Sequence, residues 1–211
     1  MFSGTTLEIT SDNKGISSHG DLEISGGDIT IHSCTEGVES KAEMTISGGN
    51  VRILDASDDG LNTGGSDSGS YAMTITGGTL LALSSKGMME YPESGCLIAT
   101  NCNAAAGEQI SIVDKNGTVL ATLQSPKAVS DVIYGIGDSD SADYTIVTGG
   151  TYDGTLNEDG YGEGGSVSGG TEVTANGGTG SMNGGAPAGG GQGGTPPEMP
   201  NLNNSGGNTA S

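Results

Sequence analysis

The chain has 211 residues, a net charge of −20 and a pI near 4.1, which argues against a nucleic-acid partner because binding to phosphates requires a basic surface. Only 32% of the residues are apolar, Trp is absent and Phe occurs once, so we expect a thin column of aliphatic side chains rather than a large globular core. No stretch is long and apolar enough to span a membrane.

The first half of the chain repeats one pattern: a glycine, one apolar residue, polar residues, and two short alternating strands separated by a Gly pair. The repeats begin at Gly15, Gly37 and Gly60, so they are spaced by 22 and 23 residues, and the next begins at Gly87. A fixed period of this length with β-type alternation is typical of a solenoid. The residues before Gly15 match the second half of a repeat. This predicts a chain that begins in mid-coil as a fragment of a longer protein, with a divergent capping coil as the alternative.

Alternating apolar residues within each repeat predict strands with one buried face. They are Leu22, Ile24, Ile29 and Ile31, then Met44, Ile46, Val51 and Ile53, then Met73, Ile75, Leu80 and Ala82. The Gly pairs supply the positive φ that a sharp corner needs, and a third short strand begins at Ile16, Val38, Leu61 and Met88. Three strands and three corners per repeat predict a single-stranded parallel β-helix of about 22 residues per coil, with equivalent residues stacked about 4.8 Å apart.

The period stops near Cys96, and we divide the chain into coils over 1–95, a capping segment over 96–150 and a tail over 151–211. Asn116-Gly117 lies between two β-prone runs and predicts a hairpin, because both turn positions favour positive φ. This segment is expected to form an antiparallel β cap that covers the last coil. The tail is rich in Gly, Pro, Asn and Ser and is expected to be largely disordered.

Acidic residues next to the opening glycines would be stacked by the repeat. The spacing places Glu36 beside Asp59 and Glu39 beside Asn62, at about one strand separation. Neighbouring carboxylates repel each other, and oxygen ligands of this kind suit Ca²⁺. We therefore predict a Ca²⁺ site formed by Glu36, Glu39, Asp58, Asp59 and Asn62. The alternative is a plain solvated corner, with Lys14 and Lys86 ending the row of charges by salt bridges.

Other candidate groups carry weaker signals. His19 and His32 are expected to face outward as ordinary polar residues. Lys41 and Arg52 could act as the base of a polysaccharide lyase, although pairing with neighbouring acids is the simpler interpretation. The three cysteines, Cys34, Cys96 and Cys102, fit neither a disulfide scaffold nor a zinc site, and a Cys96–Cys102 bridge remains open.

The units GDLEISGGDITI, AEMTISGGNVRI and YAMTITGGTL resemble those of secreted bacterial proteins known as carbohydrate-binding domain proteins. The resemblance covers about residues 5–95 and implies a right-handed parallel β-helix similar to pectate-lyase folds, which binds calcium and plant cell-wall polysaccharide. The family's acidic-acidic-Gly motif matches Asp58-Asp59-Gly60 and partly matches Glu36-Gly37. It is absent at Lys14-Gly15 and at Lys86-Gly87, which favours a single metal site.

The expected function is a monomeric, extracellular or cell-surface module that binds polysaccharide without catalysis and is stabilised by Ca²⁺. Calcium could bridge the acidic chain to uronate-containing sugars. Two other classes stay open: a stalk or adhesin fragment, and a pectate-lyase-like enzyme.

Overall fold

A computed structural model describes residues 4–64, 71–86, 90–92, 95–137 and 144–177. Within these ranges the chain forms eighteen β-strands and no helix, which agrees with the all-β class expected from the sequence. Consistent with this, none of the described segments is a helix that could cross a membrane. The start of the fourth repeat at Gly87 and Met88, and the chain from 178 to 211, lie outside the described residues.

The strands of the repeat region are β1 (Thr6–Thr10), β2 (Lys14–Ser18), β3 (Leu22–Ser33), β4 (Glu36–Ser40), β5 (Met44–Ala56), β6 (Leu61–Thr63), β7 (Met73–Ile75) and β8 (Thr79–Ser84). Those that follow are β9 (Cys96–Ala99), β10 (Gln109–Asp114), β11 (Val119–Gln124), β12 (Asp131–Gly135), β13 (Tyr144–Thr148), β14 (Thr151–Tyr152), β15 (Tyr161–Gly162), β16 (Val167–Ser168), β17 (Thr171–Val173) and β18 (Asn176–Gly177).

These strands form four sheets. An eight-stranded sheet, the mixed sheet, has the order β1-β3-β5-β8-β12-β9-β18, with β7 also paired to β5. A five-stranded sheet, the antiparallel sheet, has the order β15-β11-β10-β13-β17. Strands β2, β4 and β6 form a small parallel sheet, and β14 pairs with β16.

The repeats pair in parallel and in the register that the sequence period predicts. Ile24 lies opposite Ile46, and Ile46 lies opposite Ile75, so residues one repeat apart are direct neighbours. The segment before the first glycine follows the same rule, because Leu7 pairs with Ile29. These pairing predictions are confirmed.

The prediction of a right-handed parallel β-helix, with one coil per repeat, is wrong. The mixed sheet is parallel only from β1 to β8, after which β12, β9 and β18 join it antiparallel. A separate antiparallel sheet follows, so the architecture is all-β with several distinct sheets and no solenoid. The physical reason is the second half of the chain: its hairpin-forming strands extend the mixed sheet and build a new one instead of covering the end of a coil.

The first two Gly pairs lie inside continuous strands, whereas Gly77-Gly78 lies between the separate strands β7 and β8. Strands β3 and β5 continue through Gly26-Gly27 and Gly48-Gly49 as single long strands, and the pairing register shifts there. Only the second glycine of each pair has positive φ, at 100° for Gly27 and 85° for Gly49. Pairing between β3 and β5 passes from Ser25–Gly48 directly to Asp28–Asn50, and the positive-φ glycines lie at this irregularity.

The hairpin predicted at Asn116-Gly117 is present, since β10 and β11 pair antiparallel. Its turn differs from the expected two-residue type. Gly117 has positive φ but Asn116 does not, and the loop is longer because the Asp114 carboxylate accepts hydrogen bonds from the backbone N–H groups of Asn116 and Thr118, both at 2.8 Å.

The segment 151–177 forms short paired strands, and most of the tail that the sequence predicts to be disordered lies beyond it, outside the described residues. Strand β15 pairs with β11, β17 pairs with β13, and β18 pairs with β9. The apolar content of this segment is low, but its short strands gain backbone hydrogen bonds from edges that already exist. Its order therefore depends on distant strands rather than on a core of its own.

The mixed sheet is covered on both faces. Its inner face packs with the small parallel sheet around residues such as Ile31, Ile53 and Val38. Its outer face packs against the antiparallel sheet. Strand β8 shows both contacts: Leu80 belongs to the inner cluster and Leu81 to the outer one. Successive side chains of a strand point to opposite faces, which explains why the run TLLALS lacks the alternation of earlier repeats.

All three cysteines are free, so the Cys96–Cys102 bridge left open by the sequence is not formed. Burial raises the pKa of the Cys34 thiol to about 11 and that of Cys96 to about 12. Thiols with raised pKa values are poor nucleophiles, so these two residues serve as small core side chains.

Candidate functional site

Two cross-strand rows of side chains cross the outer face of the mixed sheet. One row consists of Asp28, Asn50 and Thr79, and the other of Glu8, Thr30, Arg52, Leu81 and Tyr134. The rows are two residues apart along each strand, so they share a face. The second row changes from polar to apolar at Arg52, because the antiparallel sheet covers the outer face from β8 onward.

A cavity of about 160 Å³, the Arg52 cavity, lies at this boundary. It is lined by Asn50, Val51, Arg52, Thr79, Leu80, Leu81, Leu120, Ala121, Tyr134, Tyr161 and Glu163. The mixed sheet supplies its floor through β5, β8 and β12. Strand β11, Tyr161 of β15 and the following Glu163 supply its wall, so two sheets are needed to form it.

The Arg52 guanidinium is the central polar group of this cavity. It donates a hydrogen bond to the Asp28 carboxylate and lies 3.6 Å from an oxygen of Glu163. Its carbon is 5.1 Å from the centre of the Tyr161 ring, which is within cation–π distance. Burial alone would lower the pKa of Arg52, but hydrogen bonds with Tyr161 and Asp28 raise it. The group is therefore a permanent, paired cation.

Neighbouring side chains add hydrogen-bonding groups of both kinds. The Thr79 hydroxyl donates to the Asn50 side-chain oxygen at 2.6 Å, which leaves the Asn50 NH₂ group as a donor. The Tyr161 hydroxyl donates to the Glu163 carboxylate, whose other lone pairs remain acceptors. A mixture of donors and acceptors beside a tyrosine ring is suited to the hydroxyl groups and apolar faces of a sugar.

Sequence reasoning identified Arg52 only as a paired cation or a lyase base, and the structure shows the pairing. Lys41 likewise pairs with Glu39. The cavity itself was missed, because Tyr161 and Glu163 follow Arg52 by more than a hundred residues. The one signal that could have helped is the register that places Asp28 and Arg52 on one face of neighbouring strands.

The predicted metal ligands lie together, as the repeat indicates. Glu39 is directly opposite Asn62 across β4 and β6. The backbone N–H of Gly37 donates to the Asp59 carbonyl at 2.8 Å, which places Glu36 next to Asp59. We call Glu36, Asp58, Asp59 and Asn62 the corner cluster.

Glu39 is buried and its charge is already offset. Its side chain pairs with Lys14 and Lys41, and the Ser17 hydroxyl donates to it at 2.8 Å. Burial alone would raise the pKa of Glu39, but these hydrogen bonds outweigh burial and lower it to about 2. Lysines also reach the corner cluster: Lys14 lies 2.9 Å from Glu36, and Lys86 lies 3.3 Å from Asp58.

Asp59 is the most deeply buried acid of the corner cluster. It is 9% exposed, and its Oδ1 atom has no hydrogen-bond partner among the described residues. The other oxygen is 3.5 Å from the amide nitrogen of Asn62. Burial and the nearby charges of Asp58, Glu36 and Glu90 raise the pKa of Asp59 to about 6. A buried carboxylate with an unused oxygen among other acids is a place where a cation would be stabilised.

Within the described part of the chain, no three His, Cys, Asp or Glu side chains are already arranged as a metal cage. The fit to a cation therefore depends on Asp59 Oδ1 and on the adjacent carboxylate and amide oxygens. These are the oxygen ligands that Ca²⁺ accepts, and its coordination geometry is flexible.

Of the two histidines, His19 is exposed and His32 holds two acidic groups. Its Nε2 lies 2.5 Å from Glu8 and its Nδ1 lies 2.8 Å from Asp159. Burial alone would lower the pKa of His32, but hydrogen bonds to Asp159 and Glu8 raise it. The protonated ring can donate to both carboxylates, so His32 ties β1 to the loop that precedes Tyr161.

Comparison with known proteins finds a match to a protein family. The family described as "Carbohydrate-binding domain-containing protein" matches residues 1–188. No curated protein matches, and no solved structure matches. Since the match covers most of the 211 residues, the chain belongs to the family of carbohydrate-binding domain-containing proteins.

Proposed function

We propose that this chain is a non-catalytic module that holds polysaccharide at the Arg52 cavity. The observation that carries this proposal is the Arg52 guanidinium, which lies over the Tyr161 ring with the Asn50 amide and the Thr79 hydroxyl beside it. The cavity is smaller than the roughly 300–1,000 Å³ typical of sites that enclose a drug-sized ligand. It is therefore suited to part of a long ligand, such as one sugar unit of a chain.

The pairing of the basic residues supports a module without catalytic activity. A lyase base must be able to accept a proton. Lys41 is engaged in an ion pair with Glu39, and hydrogen bonds raise the pKa of Arg52, so the Arg52 guanidinium does not act as a base. Membership of a carbohydrate-binding domain family points the same way.

The binding site is tested by Asn50→Ala, which removes an exposed donor at the cavity. We expect binding to a soluble cell-wall polysaccharide to weaken about fivefold, since loss of a hydrogen bond in a complex costs about 1 kcal/mol. Isothermal titration calorimetry or affinity gel electrophoresis would measure this loss. The matched control is Asn13→Ala in the exposed loop after β1, which should bind as the wild type does. Equal weakening in both variants, or in neither, would place the sugar elsewhere.

We also propose that Ca²⁺ binds at the corner cluster, with Asp59, Asp58, Glu36 and Asn62 as ligands, and stabilises the fold there. The proposal is supported by the unpartnered Asp59 oxygen and by the carboxylates that surround it. Glu39 is left outside this ligand set because Lys14 and Lys41 already neutralise it. An extracellular or cell-surface location belongs to the same proposal, since cell-wall polysaccharide is found outside the cell.

The calcium site is tested by thermal unfolding in EDTA and in Ca²⁺. At a free Ca²⁺ concentration of about 100 times Kd, binding adds about 2.7 kcal/mol, which raises the melting temperature of a chain of this size by several degrees. Asp59→Asn should abolish this rise. The control Asp12→Asn changes an exposed acid outside the cluster and should keep it. An unchanged wild-type melting temperature at millimolar Ca²⁺ would remove the metal from the proposal.

A further inference from the structure

Basic side chains across the described residues are matched with acids. Carboxylate pairs are formed by Lys14, Lys41, Arg52, Lys86 and Lys127. Lys115 lies in the loop between β10 and β11 and is not among the residues that line the Arg52 cavity. An acidic sugar would therefore have to compete for a paired cation.

The Arg52 cavity shows this most clearly. One positive group, Arg52, lies between two negative ones, Asp28 and Glu163. The two acids restrain the guanidinium from both sides, and together they exceed its charge. The carboxylate of a uronic acid placed here would approach Glu163 without a free cation to balance it. Repulsion between like charges grows where a protein surface replaces water, so the cavity disfavours anionic sugars.

A neutral sugar does not meet this obstacle. Its hydroxyl groups donate and accept hydrogen bonds, and the cavity offers both kinds of partner. The Glu163 carboxylate accepts, whereas the guanidinium N–H groups of Arg52 and the Asn50 amide donate. Hydrogen bonds that involve a charged group are stronger than neutral ones, so the acid–Arg–acid arrangement favours hydroxyl recognition while excluding a carboxylate.

We infer that the Arg52 cavity selects uncharged sugar units over uronates, and that Asp28 and Glu163 set this specificity. The inference rests on the proposed function, because it assumes that the cavity holds sugar. It narrows the ligand from the uronate-containing polysaccharides considered above to neutral ones at this site. It also separates sugar recognition from the corner cluster, since no calcium bridge is needed.

The test uses pairs of polymers that differ only in charge: polygalacturonate and alginate, each with its carboxyl-reduced form, in which CH₂OH replaces the carboxylate. Neutral xylan and galactan complete the set. Binding of the full chain is measured by affinity electrophoresis and calorimetry in EDTA, so that calcium bridges cannot contribute. We expect the wild type to bind at least one neutral polymer and to bind both acidic polymers at least tenfold more weakly.

The specificity residues are tested by the double variant Asp28→Asn with Glu163→Gln, which keeps both side-chain shapes and leaves Arg52 unpaired. We expect its binding to the acidic polymers to rise about tenfold and its binding to neutral polymers to weaken, because Glu163 no longer accepts hydrogen bonds as a carboxylate. The charge-matched control, Asp21→Asn with Glu172→Gln, changes two exposed acids that do not line the cavity and should keep the wild-type preference. Melting curves of both variants verify that they are folded.

The outcomes separate the two proposals. Wild-type binding to an acidic polymer in EDTA that equals its binding to the reduced form would overturn the selection of neutral sugars and leave carbohydrate binding intact. An equal gain of acidic binding in both double variants would also overturn it, because net charge rather than the cavity would then control specificity. Binding to none of the polymers would refute the proposed function itself.

Discussion

Replacing Gly37 with alanine is expected to destabilise the protein by about 3 kcal/mol or to prevent folding, at the upper end of the cost of overpacking a core. An added Cβ would lie 2.8 Å from the Ile53 side chain and closer still to the carbonyl oxygen of Gly60. That oxygen accepts a hydrogen bond from Val38, so it cannot move aside without breaking the pairing of β4. Gly15 meets the carbonyl of Gly37 in the same way.

Urea or thermal unfolding of Gly37→Ala measures this cost, and Gly20→Ala is its matched control. Gly20 has nothing within 4 Å of an added Cβ and does not have positive φ, so alanine there should be neutral or slightly stabilising. Both variants change the entropy of the unfolded chain in the same way. The difference in their stabilities therefore measures the steric cost of the added Cβ at Gly37. If Gly37→Ala unfolds at the same urea concentration as Gly20→Ala, the tight stacking of opening glycines does not exist in solution.

Replacing Glu39 with glutamine is expected to lower the stability of the folded protein by a similarly large amount. Its pKa in the folded protein is about 2, compared with an ordinary value of 4.5. A group whose pKa is lowered by folding stabilises the protein above its unfolded pKa and loses that contribution as pH falls toward the folded one. The difference corresponds to about 3 kcal/mol at neutral pH. Wild type should therefore exceed Glu39→Gln in stability near pH 7, and the gap should close between pH 4.5 and 2.

Urea unfolding of both proteins from pH 7 to pH 2 gives the required curves. Glu43→Gln is the control, since this side chain is exposed in the loop before β5 and should change stability by less than about 0.5 kcal/mol at every pH. Parallel curves for wild type and Glu39→Gln would show that the Lys14 and Lys41 pairs contribute nothing to the folded state.

The repeat period predicted the strand pairing because it specifies which residues meet. Once Ile24 pairs with Ile46, each neighbouring pair follows, including Glu39 with Asn62 in the small parallel sheet. The same regularity led to an incorrect solenoid. The period predicts only how one repeat pairs with the next. It does not predict which strands pair with β8 after the repeats end.

The second half of the chain was harder to predict because its strands choose distant partners. Local pattern predicted the strands on either side of Asn116-Gly117, but it could not show that β12 pairs with β8 whereas β10 joins a different sheet. Both strands are apolar, so their composition does not distinguish the two sheets. The continuous apolar run in β8 was the available indication, since a strand with both faces buried needs a second layer to cover it.

The candidate site, like the fold, could be predicted from the sequence only in part. Contacts between successive repeats were predictable, and the acids of the corner cluster do lie together. The lysine pairs of Glu39 and the raised pKa of Asp59 depend on side-chain positions that spacing alone does not define. The Arg52 cavity depends on Tyr161, which reaches it only because β15 attaches to β11.

The position of the Arg52 cavity between two layers has a consequence for how this protein can diversify. Most of its floor comes from the repeat strands β5 and β8, whereas the short segment of Tyr161 and Glu163 forms part of its wall from outside the repeats. Exchanging that segment would reshape the wall while the hydrogen-bonded ladders beneath it stay unchanged. The repeats can thus act as a constant platform, and under the proposed function substitutions around the rim would change which sugar is bound.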